Sequence, residues 1–290
     1  MKRVYAKTAR PRISTDSPKL YQPLPGYRPS SNGASPVDIT YTIMADHIRT
    51  ALITGGSKGI GYGVAEVLLK AGVNVAITSR SAVAAELAAV KLNELTPQNS
   101  TNAVPFGSAL GMAADVRDLA SQQRVVDAIL TQWGRLDYVI ANAGVGHFAP
   151  IQELTPTQWQ ETIDINLTGV FNTAKATIAA LKETRGYFIT IASLAGTNFF
   201  EKGAAYNASK FGLVGFTQAI MLDLRSEGIK VSTIMPGSVA TEFGDNPMGD
   251  KDAWKIQPED IGQMVYDLLK MNPRTLPSKI EVRPTRPGGK

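Results

Sequence analysis

The sequence predicts an α/β fold: a single doubly wound domain with a seven-stranded parallel sheet and helices on both faces. Three observations predict it. Short apolar runs rich in Val, Ile and Ala recur between residues 49 and 284 and alternate with helical stretches. The runs are mostly continuous rather than alternating apolar with polar, as strands covered on both faces must be. The first run ends in a glycine-rich turn that leads straight into a helix.

The elements follow in order. RTALIT (49–54) is a short apolar strand that ends in glycines, and GIGYGVAEVLLKAG (59–72) is amphipathic and helical. NVAITS (74–79) is the second strand, followed by a helix near 82–95, a strand near 111–115 and a helix near 118–133. LDYVIANAG (136–144) is a buried strand, helices are expected near 156–183, and GYFITIAS (186–193) is the next strand. A long helix spans about 204–227, then come the strand KVSTIMP (230–236), a helix near 258–271 and a last strand, KIEVRP (279–284). Residues 96–108 (TPQNSTNAVPFGS) interrupt the rhythm and read as a surface loop.

The chain has 290 residues and a net charge of +5, which raises the question of a polyanionic partner. Residues 1–43 hold seven Lys or Arg and two acids, so the whole excess lies there and the remainder is neutral, with 23 of each sign. No nucleic-acid partner is expected of such a body. The same 43 residues carry six prolines and no helical periodicity. Such a stretch buries too little apolar surface to offset its ordering entropy, so it reads as a disordered basic Pro/Ser/Thr-rich extension. Alternatives are an organelle transit peptide or a misassigned start, since Met44 is in frame before the first strand. The folded domain is expected over 44–290. No apolar run is long enough to span a membrane, no secretory signal is visible, and the cytoplasm is the expected location. With no cysteine and only His47 and His147, far apart, no metal site is expected.

TGGSKGIG (54–61) joins the first strand to the first helix. Gly55 suits the tight turn, Gly59 lets the backbone approach a pyrophosphate, and Gly61 permits close helix-to-strand packing. The helix N-terminus then presents free N–H groups to phosphate. At the end of the second strand stand Ser79 and Arg80, where an acid would favour a ribose 2′-hydroxyl. Arg80, with Lys58 in the glycine turn, favours a 2′-phosphate instead, so NADP(H) is the expected cofactor.

This pattern, TG-x-x-x-G-x-G, resembles the classical short-chain dehydrogenase/reductase family. The resemblance runs in order through NAG (142–144), Asn166 in INLTG, Ser193 in IAS, YNASK (206–210) and PGSVAT (236–241). It implies a Rossmann-like domain whose glycine turn, through Gly55, Ser57, Lys58, Gly59, Ile60 and Gly61, holds the cofactor phosphates. It implies that Asp115 and Val116 border the adenine, and that Asn142, Ala143 and Gly144 line the cofactor pocket. Pro236, Gly237, Val239 and Thr241 match the segment that holds the nicotinamide carboxamide.

Tyr206 and Lys210 stand four apart and share one face of a helix. The resemblance makes Tyr206 the general acid/base and Lys210 its charge partner and a ligand of the nicotinamide ribose. Tyrosine ordinarily titrates near pH 10, so work near neutrality requires a downward shift of roughly three units. A nearby ammonium and the positive nicotinamide both favour the phenolate. Ser193 is expected to hold the substrate oxygen. Asn166 is expected to bend its helix and extend a proton relay to Lys210. The expected activity is an NADP(H)-dependent oxidoreductase acting on a small carbonyl or secondary-alcohol substrate. A reductase of 3-oxoacyl-[acyl-carrier-protein] is an alternative, although KIEVRPTRP departs from the glycine-rich ending of those enzymes. A non-catalytic NADP(H)-binding sensor or scaffold is another.

Phe199, Phe200, Phe243 and Trp254 suggest an apolar substrate pocket or ordinary core packing, and His147, Phe148, Leu194 and Met248 lie in the same segments. The resemblance also implies a homodimer or homotetramer, and the apolar run FGLVGFTQAIMLDL (211–224) suits such an interface or core burial.

Overall fold

The structure, a computed structural model, describes residues 48–95, 106–243 and 249–286. The basic extension read over 1–43, most of the loop read over 96–108, and Met248 lie outside them. The chain opens with β1 (Thr50–Ile53), α1 (Gly59–Lys70), β2 (Asn74–Ser79) and α2 (Ala82–Glu94). It continues with β3 (Ala109–Ala113), α3 (Leu119–Trp133), β4 (Tyr138–Ala141) and α4 (Pro156–Ile163). After a five-residue π-helical turn, Asp164–Thr168, come α5 (Gly169–Thr184) and β5 (Tyr187–Ile191). The last elements are α6 (Ala204–Leu224), β6 (Lys230–Pro236), α7 (Pro258–Lys270) and β7 (Lys279–Val282).

The seven strands form one sheet in the order β3-β2-β1-β4-β5-β6-β7, and every pairing is parallel. Alternation within each strand feeds two cores. Ala51 and Ile53 face a layer that includes Val64 and Leu68 of α1, Leu92 of α2 and Val265 of α7. Leu52 faces Val125 and Ile129 of α3, Val170 and Leu181 of α5 and Leu213 of α6. Helices therefore cover both faces, and the order reverses between β1 and β4. Ligands of open α/β sheets bind at the carboxyl ends of the strands, at such a crevice.

Local signals explain several boundaries. Asp118 caps α3 by accepting the Ala120 N–H, and Gly134 ends that helix with φ of 73°. Thr155 and Gln158 form a reciprocal capping box at the start of α4, with Pro156 as its first residue. The third strand lies two residues earlier than the sequence suggests, pairing Val75 with Ala109 through Ser79 with Ala113. Gly111, read as its first residue, is its centre. A side chain there would come within 2.2 Å of the Ala85 carbonyl, so the close approach of α2 requires glycine inside this strand.

At the opposite end of the sheet, Asp137 is buried between β1 and β4. It accepts hydrogen bonds from Arg49 at 2.8 Å, Arg135 at 2.6 and 2.8 Å, and the Thr50 N–H at 3.0 Å. A buried carboxylate needs such pairing to offset its desolvation, and here it ties the two central strands together away from the site.

Candidate active site

The glycine turn after β1 follows from backbone geometry. Gly55 and Gly59 have φ of 65° and 56°, a region L-residues avoid. At Gly61 a side chain would fall 2.5 Å from both the Asn142 Nδ2 and the Gly55 carbonyl, so α1 packs directly on the turn. No acid stands in the first turn of α1 and no side chain caps it, so its free N–H groups suit an anion. These features fit the phosphates of a dinucleotide. Ser57, Lys58 and Gly59 border an open cavity of about 480 Å³ that runs between α1 and α2.

Asn142 does structural work at this crevice. Its Nδ2 donates to the Thr54 and Gly55 carbonyls, both at 3.0 Å, while Thr54 Oγ1 accepts the N–H groups of Asn142 and Ala143 at 3.0 and 3.1 Å. The segment after β6 crosses the turn: a side chain at Gly59 would touch Thr241 Cγ2 at 3.3 Å. Gly237, just past Pro236, donates to the Val282 carbonyl at 2.8 Å, and Val239 bridges Ile256. Ile60 packs on the core at the start of α1.

At the β2 and β3 ends, Ser79 Oγ accepts the Ser81 N–H at 3.4 Å. The Arg80 guanidinium turns toward Glu161 of α4, 3.7 Å away, and Lys58 reaches Glu242 at 3.5 Å. Asp115 is clamped by Arg117 through three side-chain hydrogen bonds of 2.6 to 3.0 Å, and that guanidinium holds its carboxyl below the usual range. Val116 is buried, and its carbonyl accepts from Asn172 at 2.9 Å.

Asn166 lies within the π-helical turn. Its Oδ1 accepts the Val145 N–H at 2.8 Å, and its Nδ2 donates to the Val145 carbonyl at 2.9 Å and to Ser209 Oγ at 3.0 Å. The expected bend is therefore a widened turn that brings Asn166 onto the strand-end segment after β4. The amide does not bond Lys210 directly. The two meet around Gly144, where an added Cβ would lie 3.3 Å from Asn166 Oδ1 and 3.8 Å from Lys210 Nζ.

Tyr206 and Lys210 occupy adjacent turns of α6. Lys210 Nζ donates to the Ile191 carbonyl at 3.1 Å and stands 5.6 Å from the centre of the Tyr206 ring. Burial pushes the lysine down to about 8. Burial also pushes the Tyr206 phenol up to about 12, with the Ser193 hydroxyl beside it pulling the other way. This direction is opposite to the downward shift expected from the sequence. Phe148 and Phe243 pack on the phenol with ring centres 5.4 and 5.6 Å away, which strips water from it, and that burial outweighs the favourable Ser193 hydrogen bond. Ser193 Oγ accepts the Ala195 N–H at 3.1 Å, leaving its own O–H to donate.

Residues 49–251 match the short chain dehydrogenase family. The chain belongs to that family. A D-threitol dehydrogenase from Mycolicibacterium smegmatis is 35% identical to this short chain dehydrogenase over 207 residues, covering 70% of this chain and 76% of that protein. The X-ray structure of an alcohol dehydrogenase from the archaeon Thermococcus sibiricus, complexed with 5-hydroxy-NADP, matches with a TM-score of 0.75 at 27% identity. The match covers 83% of this chain and 99% of that one. A 3-ketoacyl-(acyl-carrier-protein) reductase from Brucella melitensis, complexed with NADH, matches with a TM-score of 0.72 at 25% identity, covering 83% and 98%.

Several residues of this short chain dehydrogenase escaped the sequence reading. Ser209 joins Asn166 to the backbone at Tyr206, whose carbonyl accepts from its Oγ at 2.8 Å. Its position three residues after Tyr206, on the same helix face, was a usable signal. Glu161 and Glu242 meet the two phosphate-assigned cations from distant elements, and nothing local in the sequence marks them. Glu161 also engages His147 Nε2 at 2.8 Å. Among the described residues, no three His, Asp or Glu are grouped to hold a metal, and no helix is long and apolar enough to cross a membrane.

Proposed function

We propose that this short chain dehydrogenase is an NADP(H)-dependent oxidoreductase acting between a carbonyl and a secondary alcohol, with Tyr206 as general acid/base. One observation carries the reading. The Tyr206 phenol, the Lys210 ammonium and the Ser193 hydroxyl converge at the carboxyl ends of the strands, beside a glycine turn shaped for phosphate. NADP(H), when bound, supplies or accepts the hydride at nicotinamide C4.

In reduction, the substrate carbon receives the hydride and its oxygen takes the Tyr206 proton; in oxidation both return. Ser193 donates its O–H to the same oxygen and holds it in line. Lys210 favours the phenolate as the proton leaves, and its remaining N–H groups suit the nicotinamide ribose. Asn166 holds the segment through Val145 and supports the relay toward Lys210. The phenol carries its proton at neutral pH, and burial alone makes it a weaker donor. For oxidation the positive nicotinamide adds to Lys210 in lowering it.

Arg80 and Lys58 support NADP(H) over NAD(H). Their partners, Glu161 and Glu242, form long, exposed ion pairs worth little in water. A 2′-phosphate offers charge-assisted bonds in their place. The test follows oxidation of NADPH and NADH with aldehydes, ketones and 3-oxoacyl thioesters. NADPH is expected to be favoured, and Arg80→Ala is expected to raise its KM tenfold or more while moving that of NADH little. Equal use of both cofactors would remove the phosphate assignment. Folded protein that binds NADPH but reduces none of these carbonyls would favour the sensor reading.

The homodimer or homotetramer is proposed to form through α5 and α6, where Phe171, Phe211 and Leu222 stand exposed.

A further inference from the structure

We propose that Phe148, Phe200 and Phe243 form an aromatic cage over Tyr206 that selects a carbonyl or alcohol borne on a compact apolar ring, against open-chain polyols. This rests on the oxidoreductase reading above and names its substrate class.

The cage is assembled from three distant segments. Phe148 follows β4, Phe200 precedes α6, and Phe243 follows β6. Phe148 meets the Tyr206 ring edge-on at 5.4 Å and lies 6.0 Å from Phe200 and 6.4 Å from Phe243, which is itself 5.6 Å from Tyr206. These are the separations and tilts at which aromatic rings attract. Gly146 makes room for them: a side chain there would strike Phe148 and Phe243, each at 2.7 Å.

Exposed phenyl rings alone mean little, since much of any protein surface is apolar. Here, however, Phe148 and Phe243 are 43% and 38% exposed while packing on the one phenol assigned to proton transfer, and Phe200, 49% exposed, packs behind them on Phe148. A core cluster would have closed over itself. Phe199 shows the contrast: it is 86% exposed and, among the described residues, has no ring partner.

Two polar side chains beside the cage, Asn207 and His147, are already engaged. Asn207 Nδ2 donates to the Ala195 and Asn198 carbonyls, both at 2.8 Å, and its Oδ1 accepts the Phe200 N–H at 3.4 Å. His147 Nε2 is held by Glu161 at 2.8 Å. A polyol would bring several hydroxyls into phenyl walls, where each unpaired group carries a desolvation penalty. A ring with a single oxygen places that oxygen on Tyr206 and Ser193, and the rest of it against the cage. The same apolar walls explain why the phenol is so strongly desolvated.

The experiment compares kcat/KM for cyclohexanone and hydroxyacetone with NADPH in the intact protein. Cyclohexanone is expected to be preferred by about fifty-fold, from its additional buried methylenes. In Phe148→Ala and Phe243→Ala that ratio is expected to fall about tenfold, mainly through the KM for cyclohexanone. Phe148→Leu, which keeps apolar volume, should recover most of it, and Phe199→Ala should leave it unchanged. A wild-type preference for hydroxyacetone, or a ratio unmoved in both Ala variants, would overturn the cage and leave the oxidoreductase reading standing. Oxidation of NADPH by neither ketone but by an aldehyde or a 3-oxoacyl thioester would overturn the cage alone; oxidation by none of these carbonyls would overturn that reading and the cage with it.

Discussion

At neutral pH the Tyr206 phenol keeps its proton and Lys210 keeps most of its charge, although one burial acts against both ionised forms. Lys210 falls from 10.5 to about 8 on folding. The unfolded chain therefore binds more protons between those values, and stability rises with pH across that window. Below about pH 8 the buried ammonium opposes folding by about 3 kcal/mol, and above 10.5 the penalty is gone. Lys210→Met should therefore stabilise the protein at pH 7, with a gain that shrinks toward pH 10, while turnover falls at least a hundredfold. Urea titration at both pH values and steady-state kinetics check it. YNASK revealed Tyr206 and Lys210 because a helix places i and i+4 side by side. Tyr206's upward shift was hidden, since the rings that cause it come from segments more than thirty residues away on either side.

Elements were legible where local chemistry defines them. The glycine turn, the capping signals and the β-rich runs are short-range features, and they put six of the seven strands within two residues of their places at both ends; the run read for β4 extends three residues past it into the adjoining turn. Helices were expected over 156–183 with a bend at Asn166, and two are present; the π-helical form of the bend was not legible, because its cause is a long-range pairing of Asn166 with Val145 and Ser209. π turns are frequent at functional sites, which suits the role proposed for Asn166. Asn166→Ala would leave the Val145 N–H and carbonyl without those partners. It is expected to lower stability by about 2 kcal/mol and to reduce kcat more than it raises KM. Chemical unfolding and kinetics on the same preparation separate the two effects. Asp137 was equally invisible: its partners Arg49 and Arg135 acquire meaning only when β1 and β4 lie side by side.

At the scale of the molecule, the parallel sheet places the glycine turn and the ends of β4, β5 and β6 along one edge, so residues spread from Gly55 to Thr241 come to share a crevice. That assembly was readable from the order of motifs, whereas the aromatic walls and the ion pairs of Arg80 and Lys58 depend on loop geometry that no periodicity encodes. The exposed Phe171 and Phe211 predict self-association. Light scattering is expected to give a dimer or tetramer, and the double substitution Phe171→Glu and Phe211→Glu to give a monomer.

Hydride transfer assisted by Tyr206 is the centre of the account. NADPH carrying deuterium at both C4 positions of the nicotinamide should be incubated with cyclohexanone and the product alcohol examined by mass spectrometry. Deuterium is expected on the carbinol carbon for the wild-type protein, with a loss of product of about a thousandfold in Tyr206→Phe and NADPH binding retained. Product formed without the label, or formed equally well by Tyr206→Phe, would contradict it.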